Sequence, residues 1–405
     1  MFVGAILLIS LAFSNYLLRK ILWISHKAGL YDHPTECRKV HADSTPHLGG
    51  AALMVSFLLI TAVSPQLRSI PEIHILLLTS GAIFLIGIAD DLAGMNPYKK
   101  LLAQTVIAVV LASNPAYRIA HLHGLLGIEQ IGGFASFSLT VLFVLASVNA
   151  MNLIDGINWL ASGLSLAAFT TLAVCFHQLQ EPGLLALCAA VSGALVSFMY
   201  FNRTPARIFL GDSGSLLCGF LVSIAAIRLL QHPQNFPAGD VAGFLPRIPM
   251  ILAAILFIPY LDMLRVFFIR LASGRPPFSA DRSHIHHRLL DAGYSHLQAS
   301  SLLIAVAGAA QFIALAAPVL PFPYFIALLV LTTAALSLTW QGRPRRTPRV
   351  SPAVSALALA SEPPALTNST PYTQFIKGFL RGNQLDKKHQ PEKMQEMQEM
   401  EVPVK

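Results

Sequence analysis

The feature that most limits what this chain can become is its succession of long apolar stretches. Roughly eleven are long enough, or nearly so, to cross a bilayer, at about 2–22, 48–66, 72–90, 100–114, 134–152, 157–177, 183–201, 209–230, 247–269, 299–317 and 320–340. In hydrocarbon every backbone N–H and C=O must be satisfied internally, which makes each stretch a helix. The expected fold is an all-α polytopic membrane protein with about eleven transmembrane helices. Composition agrees: 54% of the residues are hydrophobic, 12% are charged, and mean hydropathy is +0.60. One water-soluble core could not hide that much apolar surface.

Orientation follows from the basic residues. The first stretch is apolar up to Arg19 and Lys20, the reverse of a secretory signal, and reads as a retained first span with its N-terminus outside. Lys27, Arg38 and Lys39, then Lys99 and Lys100, then Arg203 and Arg207, then Arg270, Arg275, Arg282 and Arg288 all fall in alternate loops, which are therefore cytoplasmic. The other loops are poorer, with Arg68 and Arg118 the clear examples. The C-terminus comes out cytoplasmic. The net charge of +8 belongs to this loop bias; no nucleic-acid motif accompanies it. Residues 1–340 form the expected membrane domain. Residues 341–405, rich in Arg and Pro and then in charged repeats, read as a largely disordered cytoplasmic tail. Cys37, Cys175, Cys188 and Cys218 have neither metal-type spacing nor a disulfide pattern.

Five polar clusters interrupt the apolar pattern, all at the expected cytoplasmic ends and none at mid-bilayer. Asp32-His33-Pro34, Arg38-Lys39-Val40-His41 and His47-Leu48-Gly49-Gly50 lie before the second span. Asp90-Asp91 ends the third, followed by Lys99-Lys100 and Gln104. Two carboxylates at a helix C-terminus face the negative end of its dipole and need a cation, whether metal or Lys100. Asn149, Asn152 and Asp155 recur every three residues along one broad helical face. Phe209-Leu210-Gly211-Asp212-Ser213-Gly214-Ser215 opens the eighth span, where backbone N–H groups suit phosphate and Asp212 suits a metal, although Asp and Ser are also ordinary helix caps. Asp281-Arg282-Ser283-His284-Ile285-His286-His287-Arg288 offers cations to anionic oxygens. Each cluster alone also fits a solvated loop or an interhelical contact. Their convergence on one face points to an active site there.

The order Arg-Lys-x-His … Gly-Gly, Asp-Asp … Lys-Leu-Leu-x-Gln, Asn-x-x-Asn-x-x-Asp-Gly, Gly-Asp-x-Gly-Ser and His-x-His-His-Arg resembles the polyprenyl-phosphate N-acetylhexosamine-1-phosphate transferases, over about residues 29–294. The Asp-Arg lead of the last segment looks like the undecaprenyl-phosphate GlcNAc-1-phosphate branch, which starts lipid-linked surface glycans. The resemblance implies transfer of N-acetylhexosamine 1-phosphate, GlcNAc-1-phosphate by default, from a UDP-sugar to undecaprenyl phosphate, with Mg²⁺ as cofactor and Mn²⁺ as a substitute. It places Asp212 and Asn152 near the metal. Asp90 and Asp91 are the acidic pair that shapes the metal and acceptor-phosphate site. Lys100 holds the pyrophosphate, and Asp155 is an essential acid near the nucleotide. His284, His286, His287 and Arg288 meet phosphate or sugar, and His41 and Asn149 complete the substrate-binding set. Partners are the UDP-N-acetylhexosamine, undecaprenyl phosphate and membrane lipid, with a homodimer open and no nucleic acid. One departure stands out: the family reads Asp-Gly-x-Asp-Gly where this chain has Asp155-Gly156-Ile157-Asn158-Trp159. Direct displacement and a covalent enzyme intermediate both remain open, as do two competing readings, a transporter and an inactive relative.

Overall fold

The structure is a computed structural model that describes residues 2–28, 45–125, 127–231, 244–274, 283–316 and 320–341, the last eight of these as backbone only. His41 and the 341–405 tail, apart from Gln341, lie outside the described residues. In chain order the helices are α1 (Phe2–Ala28), α2 (Gly49–Val63), α3 (Pro65–Arg68), α4 (Ile73–Ala93), α5 (Pro97–Ser113), α6 (Gly133–Ile154), α7 (Leu160–Gln178), α8 (Pro182–Asn202), α9 (Gly211–Leu230), α10 (Ile248–Ala272), α11 (Ile285–Asp291), α12 (His296–Ala316) and α13 (Phe322–Gln341). Each of the apolar stretches read from the sequence is helical. Eight helices are long and apolar enough to cross a membrane, namely α1, α4, α6, α7, α8, α9, α10 and α12. The apolar parts of α2 and α13 are shorter, and α5 has 17 residues with Lys99 and Lys100 in its first turn. The architecture is all-α and polytopic.

One element was not expected. Between α5 and α6 an antiparallel hairpin pairs β1 (His121–Leu125) with β2 (Ile128–Gln130). Gly124 and Gly127 hold φ of +77° and +76° at its turn, a region that glycine enters without steric cost.

At the centre of the bundle lie α8 and α9, the most completely buried of the spans. Lipid tails are as apolar as Leu, so packing rather than hydrophobic transfer holds such helices together, and small residues allow close approach. α8 presents Ala186, Ala189, Ala190, Gly193, Ala194 and Ser197. α1 runs parallel to it, with the Ser10 and Ser14 hydroxyls donating to the Ala190 and Ala194 carbonyls. α9 crosses α2 and α4 where a Cβ on Gly50 would lie 2.3 Å from Gly214 N and one on Gly87 2.3 Å from Ser213 Cα. These crossings bring the C-termini of α4 and α6 and the N-termini of α5 and α9 to one end of the bundle, the polar end.

Candidate active site

The site is built on helix ends. α4 stops at Gly94 (φ +65°), and a short link leads to Asn96, whose side chain accepts the Tyr98 N–H at 2.9 Å and caps α5. Pro97 at the first helical position favours the same abrupt start. Lys100 thus sits one turn into α5, close to the end of α4. Its ammonium donates to Asp90 Oδ2 at 2.7 Å, to Asn152 Oδ1 at 3.1 Å and to Asp212 Oδ2. Asn152, on the last turn of α6, also donates to Asp212 Oδ1 at 2.9 Å and to Ser215 Oγ at 3.0 Å. Four elements thus converge on one cation position. The Lys100 side chain is only 12% exposed there, and a cation so placed depends on its carboxylates.

The two adjacent acids of α4 have different partners. Asp90 faces Lys100 and accepts the Met95 N–H at 2.5 Å. Asp91 accepts the backbone N–H of Asp212 at 2.7 Å and of Ser213 at 3.0 Å. It caps α9, and its negative charge complements the positive end of the helix dipole. Those two amides, which the sequence offered to phosphate, are taken by Asp91. The Gly-Gly and Gly-Asp-x-Gly motifs are likewise joined to each other. The Gly49 and Gly50 N–H groups donate to the Phe209 and Leu210 carbonyls at 3.0 Å each, and Phe209 N–H to the Pro46 carbonyl at 2.9 Å. Gly211 has φ +74°, and a Cβ there would meet Asp91 Oδ2 at 2.7 Å.

Asp155 follows α6 and makes no side-chain hydrogen bond to a described residue. Burial, and then the charges of Asp212 and Asp91, lift its carboxyl well above the usual carboxylate range. Asn149 stands apart from the cluster, donating to Gln104 Oε1 on α5 and to the Leu145 carbonyl, both at 2.8 Å. The departure from the family pattern is structural. Asn158 is buried and donates to Thr204 Oγ1 at 3.2 Å. Trp159 holds φ +73°, where a glycine would be unstrained, and is pinned by Trp159 N–H to Asn202 Oδ1 at 2.8 Å and by its indole N–H to the Met199 carbonyl at 2.7 Å.

The histidine segment forms the edge of the site. His286 is 1% exposed and fills the space beside Gly156, where a Cβ would lie 2.0 Å from its Nε2. Burial, with the neighbouring His287 next, drops its pKa to about 3, so the ring is neutral. His284 is also buried, while His287 and Arg288 keep part of their surface. Sequence reasoning missed Asp262 on α10, which is 1% exposed and pairs with His284 Nδ1 at 2.9 Å and the Ile285 N–H at 2.8 Å. The available signal was a single acid inside an apolar span, a placement that is costly without a partner.

For Mg²⁺ the donor chemistry fits. Asp90, Asp212 and Asn152 direct hard oxygens at one cation position, where two carboxylates outnumber the single Lys100 ammonium. Among the described residues no three His, Cys, Asp or Glu side chains could hold a metal by themselves. That suits an ion that takes one or two carboxylates and completes its shell with water and phosphate oxygens.

Comparison with known proteins agrees with this geometry. Residues 73–230, from the start of α4 to the end of α9, match the model of glycosyl transferase family 4. The chain is 31% identical over 297 residues to a decaprenyl-phosphate N-acetylglucosaminephosphotransferase of Mycobacterium tuberculosis, covering 67% of this chain and 72% of that one. It is 33% identical over 277 residues to a probable undecaprenyl-phosphate N-acetylglucosaminyl 1-phosphate transferase of Bacillus subtilis, covering 67% and 73%. Against an undecaprenyl-phosphate alpha-N-acetylglucosaminyl 1-phosphate transferase of Salmonella typhi the identity is 31% over 298 residues, covering 71% and 76%. With a cluster built from the ends of α4, α5, α6 and α9, and relatives of this similarity and extent, the chain belongs to glycosyl transferase family 4.

Proposed function

We propose that this chain transfers N-acetylhexosamine 1-phosphate, GlcNAc-1-phosphate by default, from a UDP-sugar to undecaprenyl phosphate, releasing UMP. The observation that carries this reading is the convergence of Asp90, Lys100, Asn152 and Asp212 on one cation position at the polar end. The names of the relatives support a polyprenyl phosphate acceptor and a GlcNAc-phosphate product. An apolar groove of about 480 Å³, lined by none of the cluster residues, would suit a lipid tail. Phe143, Leu252, Leu256 and Phe322 line it, and it reaches Leu261 and Leu264 on α10.

The chemistry needs little general base. A phosphate monoester has a second pKa near ~6 and is largely dianionic at neutral pH. Its oxygen attacks the sugar-bound phosphorus of the donor, a new P–O bond forms, and the P–O bond to UMP breaks. The obstacle is repulsion between two anions, and the remedy is fixed positive charge. Lys100 supplies it at the centre of the cluster, with Arg288 at its edge. Asp212 and Asn152, with Asp90 beside them, would hold Mg²⁺, which supplies further neutralisation and alignment when bound. Asp155, which makes no side-chain hydrogen bond among the described residues and has raised proton affinity, would take a residual proton of the reacting phosphates. The displacement is direct; a phosphosugar-enzyme trapped without lipid acceptor would count against it.

We place the polar end in the cytoplasm, where UDP-sugars are, with the N-terminus of α1 outside an inner membrane. The inactive-relative reading loses its motive, because Asn158 and Trp159 bond away from the cluster. Purified enzyme with UDP-[¹⁴C]GlcNAc, undecaprenyl phosphate and Mg²⁺ tests the reaction. Label should enter the lipid phase with release of UMP. Both should vanish with EDTA and fall about 100-fold or more in Asp212→Ala. Absence of lipid label from folded enzyme, with other UDP-sugars also tried, would overturn the proposal.

A further inference from the structure

Asp262 lies ten residues before the end of α10, in a helix that is otherwise apolar until Arg265. A carboxylate buried at a membrane depth is costly unless every oxygen finds a partner. Here Oδ1 accepts the Ile285 N–H and Oδ2 faces His284 Nδ1. One turn later Arg265 Nη1 donates to the Ser283 carbonyl. Two side chains spaced i, i+3 on one face of α10 therefore grip three consecutive residues at the start of the histidine segment. Pro259 lies three residues before Asp262, where it removes one N–H from the helical ladder.

The partner of His284 dictates its proton. A carboxylate at 2.9 Å accepts but cannot donate, so Nδ1 must bear hydrogen. In the neutral ring Nε2 is then the lone-pair nitrogen. The consequences run along the segment. The His286 ring stacks on His284 with centroids 5.5 Å apart and planes 15° apart, and His287 lies 4.3 Å from His286. Fixing Ile285 N fixes the first turn of α11, and with it the direction from which His287 and Arg288 reach the site.

We propose that Asp262, assisted by Arg265, is a positioning residue of the transfer reaction: it sets the His284 tautomer and the start of α11, and acts on substrate only through that segment. This rests on the reading that the segment carrying His284, His286, His287 and Arg288 meets the phosphate or sugar of the substrate.

Two measurements test it. In ¹⁵N-histidine-labelled enzyme, with His284 assigned by its loss in His284→Gln, Nδ1 should be protonated. Asp262→Asn can offer its amide N–H to that nitrogen and should move the proton to Nε2. A wild-type ring protonated at Nε2 alone would overturn the proposal. In kinetics, Asp262→Asn and His284→Gln should each lower kcat about 10- to 100-fold, with a much smaller change in the KM for UDP-sugar. The double variant should be no slower than His284→Gln alone. Losses that multiply would overturn the coupling. Asp262→Glu keeps the carboxylate and should recover activity over Asp262→Asn at a matched melting temperature; no recovery counts against positioning. If His284→Gln is fully active, the role given to the segment fails instead, and the tautomer alone decides the proposal for Asp262.

Discussion

Gly156 illustrates how a motif residue acts through what it leaves out. The neighbouring ring of His286 occupies the space a side chain would take, and it is stacked on His284, lies tilted against His287 and cannot retreat easily. Gly156→Ala would set a Cβ 2.0 Å from Nε2, an overpacking that costs about 1–3 kcal/mol. The melting temperature in detergent should fall by several degrees, with kcat at least about tenfold lower. Combining it with His286→Ala should restore the melting temperature but not the activity. An unchanged melting temperature for Gly156→Ala would mean that the ring is not held there. In the sequence this glycine was legible only as a member of the Asp-Gly motif after Asn152. What approaches it lies 130 residues further on, which no local pattern reports. Asp262 was hidden for the same reason: its partners are on another element, and its own neighbours are apolar.

Helix ends carry the chemistry at the scale of elements, and they divide the labour of adjacent residues. Consecutive positions on a helix point about 100° apart, so Asp90 turns to Lys100 while Asp91 turns to the first amides of α9. An acidic pair was evident in the sequence; its division was not, because helical phase and the position of α9 decide it. Asp90→Ala should abolish most transfer with a smaller loss of melting temperature, because Asp212 and Asn152 still hold Lys100. Asp91→Ala leaves two amides of α9 without their acceptor, and a lost cap with its charge costs about 1–2 kcal/mol. That variant should lose both stability and activity, since Asp212 is the residue whose amide is released. Equal melting temperatures for the two variants would contradict this division. The same logic accounts for the hairpin after α5, which the hydropathy reading passed over: its strands are three and five residues long, too short for a periodic signal.

At the scale of the whole molecule, hydropathy located the helices well because the backbone has no alternative in lipid. It was weakest at α5, where Lys99 and Lys100 lie in the first turn and Lys100 bonds to Asp90, Asn152 and Asp212. The basic residues then carry the argument about orientation. Lys27, Lys99, Lys100, Arg203, Arg207, Arg270 and Arg288 lie toward the polar end, against Arg68, Arg118, Arg228 and Arg247 toward the other. The bias supports the proposal that the polar end lies inside, and the proposed donor requires it, since a charged nucleotide sugar could not reach the cluster through hydrocarbon. Exposed Lys99 and Gln130 mark the two ends. In a Cys37→Ser background, Gln130→Cys should react with a membrane-impermeant maleimide in intact cells, and Lys99→Cys only after permeabilisation. Buried Cys175, Cys188 and Cys218 should stay silent in both. Labelling of Lys99→Cys in intact cells would turn the molecule over. The Lys100 cluster would then face away from the cytosolic UDP-sugar, and the proposed donor would fail on access alone, whatever the geometry around Asp212.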